Sequence, residues 1–100
     1  MNYGIHTIHK IWYLCHIAYV NKSREIKYLK AFGENLRNLR KKHGMTMMEL
    51  AFEAEIEYSQ VAKIERGLVN TTISTTLNLS KALKIEHHQL FLFNYPPLIK

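Results

Sequence analysis

The chain has 100 residues, 47% of them hydrophobic, with 14 Lys and Arg against 8 Asp and Glu, a formal charge of +6. That length supports one domain with one core, small enough to gain from dimerisation, and the lone Cys15 excludes an intrachain disulfide framework and points to a reducing, cytoplasmic setting. No apolar run reaches the roughly 18–20 residues of a membrane span, and no Gly-rich phosphate loop, paired-carboxylate site or nucleophile triad is visible, so neither an enzyme, a cofactor nor a membrane protein is expected.

In residues 1–31, apolar side chains at 5, 8, 11, 12, 15, 18 and 19 form a helical stripe, followed by a basic stretch, NKSREIKYLK, read as a linker. The apolar run 11–20 follows Lys10 but has no small-residue cleavage site, which argues against a secretory signal. His6, His9, Cys15 and His16 lack the tight, repeated spacing of zinc ligands, and no metal is expected there.

From Phe32 onward the spacing predicts short helices and no sheet. FGENLRNLRKKHG places Phe32, Leu36 and Leu39 on one face and stops at Gly44. Thr46 with Glu49 three residues later is a Thr-x-x-Glu capping box, opening a second helix that buries Leu50, Ala51 and Ala54. After a turn at 55–57, Val61 and Ile64 mark a third helix ending at Gly67. Thr72 is the expected N-cap of a fourth helix, with Ile73, Leu77, Ser80, Ala82 and Leu83 at helical spacing. A last short helix is predicted from Glu86 through Phe91, with Pro96 and Pro97 ending regular structure.

The pattern TMMELAFEAEIEYSQVAKIERG, preceded by NLRNLRKKHG and followed by NTTISTTLNLSKALKI, resembles the Cro/cI-type (XRE-like) helix-turn-helix family of phage repressors and bacterial regulators over residues 32–93. The resemblance rests on many positions at the family's spacing, from Leu36, Leu39 and Arg40 through Leu50, Ala51, Val61 and Ile64 to Leu83 and Leu90. It implies an all-α, five-helix, lambda-repressor-like domain at 32–93, which leaves the apolar stripe and basic linker of 1–31 as a helical extension and 94–100 as a tail. It also implies sequence-specific binding of double-stranded DNA by a transcriptional regulator, in the first instance a repressor, acting as a homodimer. Tyr58, Ser59, Gln60 and Lys63 are then the candidates for base contact in the major groove, Gln60 toward adenine and Lys63 toward guanine. Backbone contacts are expected from Thr46, Met47, Asn70, Thr71 and Thr72 at or near helix N-termini, and from Lys41 and Lys42 in the basic stretch. Arg40 and Glu65 fall where family members often form a partly buried ion pair, a structural role.

Three residues depart from the family pattern. Glu55 stands where a turn glycine is usual, so a positive φ there costs strain. Glu57 replaces a small hydroxyl cap before the third helix and repels phosphate, and Met47 replaces a Gln that bridges phosphate to that helix. Residues 32–93 carry eight basic and seven acidic side chains, whereas residues 22–42 alone carry eight basic and two acidic. The expected electrostatic attraction therefore comes from the basic flank as an arm on DNA, or from dimerisation. Two alternatives remain open at this point: an antitoxin or restriction-modification controller that also engages a protein partner through 1–31 or 86–100, and a helix-turn-helix interaction module with weak DNA affinity. The cluster of aromatic Phe91, Phe93 and Tyr95 with Leu92 either closes the core or supplies the dimer contact.

Overall fold

The computed structural model describes residues 3–95, with side chains at 9–17 and 22–95. Pro96 and Pro97, expected to end regular structure, lie outside the described residues, as does the His6 side chain. The described residues form α1 (Tyr3–Lys42), α2 (Met47–Ala54), α3 (Tyr58–Glu65), α4 (Ile73–Leu83) and a closing 3-10 helix, His87–Phe91, with no strand among them.

The extension, linker and first domain helix expected from the sequence are one continuous helix of 40 residues. Between Gly4 and Gly33 the sequence has neither Gly nor Pro, and the basic stretch is rich in Lys, Arg, Glu and Leu, so nothing local interrupts the helix. The linker segment is also tied to the rest of the fold. Tyr95 donates from its hydroxyl to the Arg24 carbonyl at 2.7 Å, Asn70 Nδ2 donates to Glu25 Oε1 at 3.1 Å, and the Tyr28 ring packs on Phe93 and Tyr95 with centroids 5.3 Å away in each case.

All four helices end in the same way. In each, the amide after the left-handed residue bonds five residues back and the left-handed residue's own amide bonds three back to close the inner turn, the Schellman pattern: Met45 to Arg40 and Gly44 to Lys41, Ile56 to Ala51 and Glu55 to Phe52, Leu68 to Lys63 and Gly67 to Ile64, Ile85 to Ser80 and Lys84 to Lys81. Gly44 and Gly67 meet the positive φ without strain, while Glu55 (φ 58°) and Lys84 (φ 57°) carry a Cβ through it. Met45, Ile56 and Ile85, the residues after three of these turns, pack against the core, and that burial holds the strained turns.

The core joins Phe32 and Leu36 of α1 to Leu50, Ala51 and Ala54 of α2, Val61 and Ile64 of α3, Leu79 and Leu83 of α4, and Leu90. The buried face of α4 differs from expectation. Ile73 and Leu77 are exposed, and Thr76 and Leu79 are buried beside Ser80 and Leu83. Thr76 tolerates burial because its hydroxyl donates to the Ile73 carbonyl at 2.6 Å and meets His87 Nε2 at 2.7 Å. Asn35 Nδ2 holds the closing helix by donating to the Gln89 and Leu90 carbonyls at 3.1 and 2.8 Å.

Where α1 crosses the end of α3, the contact is backbone to backbone. A Cβ at Gly33 would collide with the Ile64 carbonyl oxygen, and one at Gly67 would lie 2.7 Å from the Lys30 Cα. Arg40 fastens the same crossing: Nε and Nη2 donate to the two carboxylate oxygens of Glu65 at 2.6 and 3.0 Å, and Nη1 donates to the Met45 carbonyl at 2.9 Å. The bidentate contact raises the Arg40 pKa above its ordinary value, against the opposing effect of burial.

Candidate nucleic-acid interface

The geometry of α3 follows from its two buried residues. Val61 and Ile64 face inward with at most 2% exposure, which turns Ser59, Ala62, Lys63 and Arg66 onto the opposite face at i, i+3, i+4 and i+7. Tyr58, Ser59 and Lys63, expected to read bases, are exposed together at or along this stripe. Gln60 is half-buried on its flank, three residues from Lys63. Glu57 occupies the N-cap of α3 with no side-chain hydrogen bond to the helix amides, so the Tyr58 and Ser59 amides keep their unpaired, positive end.

Two further helix starts are built around threonines. At α2, Thr46 Oγ1 accepts from the Glu49 amide at 3.0 Å and Glu49 Oε1 accepts from the Thr46 amide at 2.9 Å. This capping box, through the Thr46 backbone and then its side chain, holds the Glu49 carboxyl below its usual range. It satisfies the amides at both ends of the first turn and leaves those of Met47 and Met48 without intrahelical acceptors. At α4, Thr72 Oγ1 accepts from the Thr75 amide at 3.2 Å. The structure thus places Thr46, Met47 and Thr72 at helix starts that can hold phosphate.

The remaining expected residues are placed less simply. Asn70 is exposed but its amide is engaged by Glu25, and the Thr71 hydroxyl oxygen is buried without a hydrogen-bond partner. Lys41 and Lys42 are exposed at the end of α1. In the N-terminal half of α1, His16 stacks on Trp12 with ring centroids 5.4 Å apart, Cys15 is exposed, and no cluster of three metal-ligating residues occurs among the described residues. No helix among them is long and apolar enough to cross a membrane.

Ala62 and Arg66 join the site without having been expected there, and Arg37, in the sequence only one cation of the basic stretch 22–42, stands beside them. With Met47 they line an open groove between α1 and the outer stripe of α3. Arg66, seven residues after Ser59, continues the Ser59 and Lys63 spacing, which was a readable signal; the position of Arg37 opposite it was not.

Comparison with known proteins places this geometry. The helix-turn-helix family model matches residues 36–90. The chain is 33% identical over 63 residues to control protein C.BamHI of Bacillus amyloliquefaciens, covering 62% of this chain and 78% of that protein. It is 31% identical over 61 residues to the uncharacterized HTH-type transcriptional regulator y4dJ of Sinorhizobium fredii, covering 61% and 79%. The solved structure of the restriction-modification controller protein C.AhdI from Aeromonas hydrophila superposes with a TM-score of 0.62 at 40% identity, over 63% of this chain and 96% of that one.

Proposed function

From the premise that this chain belongs to the helix-turn-helix family, we propose that it is a transcriptional regulator that binds double-stranded operator DNA in a sequence-specific manner as a homodimer. The observation that carries the reading is the exposed stripe of α3, with Ser59 and Lys63 facing outward because Val61 and Ile64 are locked inward. The stripe enters the major groove, where Lys63 donates to guanine O6 or N7 and Tyr58, Ser59 and Gln60 contact neighbouring base edges or phosphate. Thr46 and Met47 at α2 and Thr72 at α4 fix the register through phosphates bound at helix N-termini. Asn70 joins them when its amide leaves Glu25, Lys41 and Lys42 add charge at the end of α1, and Thr71 adds its backbone at the start of α4.

Exposed Phe91 and Leu92 at the end of the closing helix offer an apolar surface to a second copy, and a two-fold dimer spaces two α3 stripes for half-sites about one helical turn apart. A second reading, that the operator belongs to a restriction-modification system, is favoured by the similarity to C.BamHI and C.AhdI.

The test is selection of bound sequences from random duplexes, followed by Lys63→Gln. A change of preferred base at one position, with a loss of about 1–3 kcal/mol on the selected site and little on random duplex, is the expected result. Equal loss on both duplexes refutes base reading by Lys63.

A further inference from the structure

We propose that the groove between α1 and the outer stripe of α3 is a second phosphate-binding track for DNA, carried by Arg37 and Arg66 and extended by Lys30 and Lys41. The inference rests on the DNA-binding reading above and adds a site to it. Two adjoining surface depressions share Arg37, Glu65 and Arg66; one runs on to Met47 and Ala62, the other to Lys30, Glu34, Asn38 and Lys41.

The charges in this groove do not cancel. Glu65 is consumed by its bidentate contact with Arg40, and Arg37, Arg66, Lys30 and Lys41 are exposed with no ion pair among the described residues. Glu34 is the one acidic lining residue left to oppose four cations. Because Lys30, Arg37 and Lys41 stand on α1 and Arg66 caps α3, and the two helices are joined by the Gly33 crossing and the Arg40–Glu65 pair, the backbone positions of the four cations are set before any ligand arrives.

The groove also adjoins the stripe assigned to base reading. Ala62 precedes Lys63, Arg66 lies one turn beyond it, and Met47 is the first residue of α2, where free amides face outward. A backbone held at those amides runs on toward Arg37 and Arg66. Their guanidinium groups supply the donors that the Met47 thioether lacks, and they offset Glu55 and Glu57 on a domain that is otherwise close to neutral.

The test compares the full chain, Arg37→Gln/Arg66→Gln, Lys63→Gln and a charge-matched control, Lys81→Gln/Lys84→Gln, neither of whose sites lines the groove. Each is titrated with a 20-base-pair random duplex and with the selected operator across a range of salt concentrations. Losing two phosphate contacts flattens the log–log salt slope by about 2, so that between 50 and 200 mM salt the groove variant loses roughly tenfold less affinity than the native chain. Its preference among operator sequences stays unchanged, and the control keeps a slope nearer the native one. A native slope in Arg37→Gln/Arg66→Gln, or an equal change in the control, overturns the groove while leaving sequence-specific binding intact. Loss of low-salt duplex binding in the groove variant, with no sequence preference in the native chain, supports the groove and overturns the specific reading. No duplex binding by the native chain at low salt overturns both.

Discussion

The two halves of α1 carry similar side chains to opposite ends. In the C-terminal half, Phe32 and Leu36 are 5% and 0% exposed; in the N-terminal half, Ile11, Trp12, Tyr13 and Leu14 are each more than half exposed. Hydrophobicity does not separate them. What does is an opposing element: the C-terminal half meets α3 at Gly33 and the closing helix at Asn35, whereas Ile11 to Leu14 are four consecutive positions spread around the helix, which no single neighbour covers. Packing, more than helix propensity, distinguishes domain from projection along one unbroken helix.

Matched truncations on the two halves test this difference most sharply. Leu36→Ala is expected to cost about 2–5 kcal/mol in denaturant unfolding, through lost burial and the cavity left behind. Gly33→Ala should cost less, about 1–3 kcal/mol, because its methyl group meets the Ile64 and Glu65 carbonyls and forces α1 away from α3; thermal melts would show this without a change in helix content. Leu14→Ala, the same chemistry as Leu36→Ala on the exposed half, should change stability by no more than about 0.5 kcal/mol. If Leu14→Ala costs as much as Leu36→Ala, the projecting half is packed in solution and the contrast between the halves is broken.

Features set by neighbouring residues were legible in the sequence. The Thr46/Glu49 capping box and the inward pair Val61 and Ile64 arise within a turn of the residues that announce them, whereas the positive φ at Glu55 was expected only from the family's turn glycine. The Arg40–Glu65 pair, 25 residues apart, was legible only through the family resemblance. The misplaced features depend on distant partners. Thr76 is buried in place of Ile73 because His87, eleven residues on, meets its hydroxyl, and residues 22–31 looked like a linker because Tyr95, which anchors Arg24, is 71 residues away. That Arg37 and Arg66 share one groove was not legible, because only the crossing of α1 over α3 brings them together.

That crossing makes α1 a lever with its fulcrum at Gly33, braced on the long side by the ties at Arg24, Glu25 and Tyr28. At about 1.5 Å per residue, Trp12 sits roughly 30 Å along the arm, so a tilt of about 10° moves the tip by roughly 5 Å while shifting Arg37, on the short side, by only about 1 Å. Force applied to the projecting aromatic end therefore bears first on those ties and then, at the fulcrum, on the carbonyls of Ile64 and Glu65 at the rear of α3.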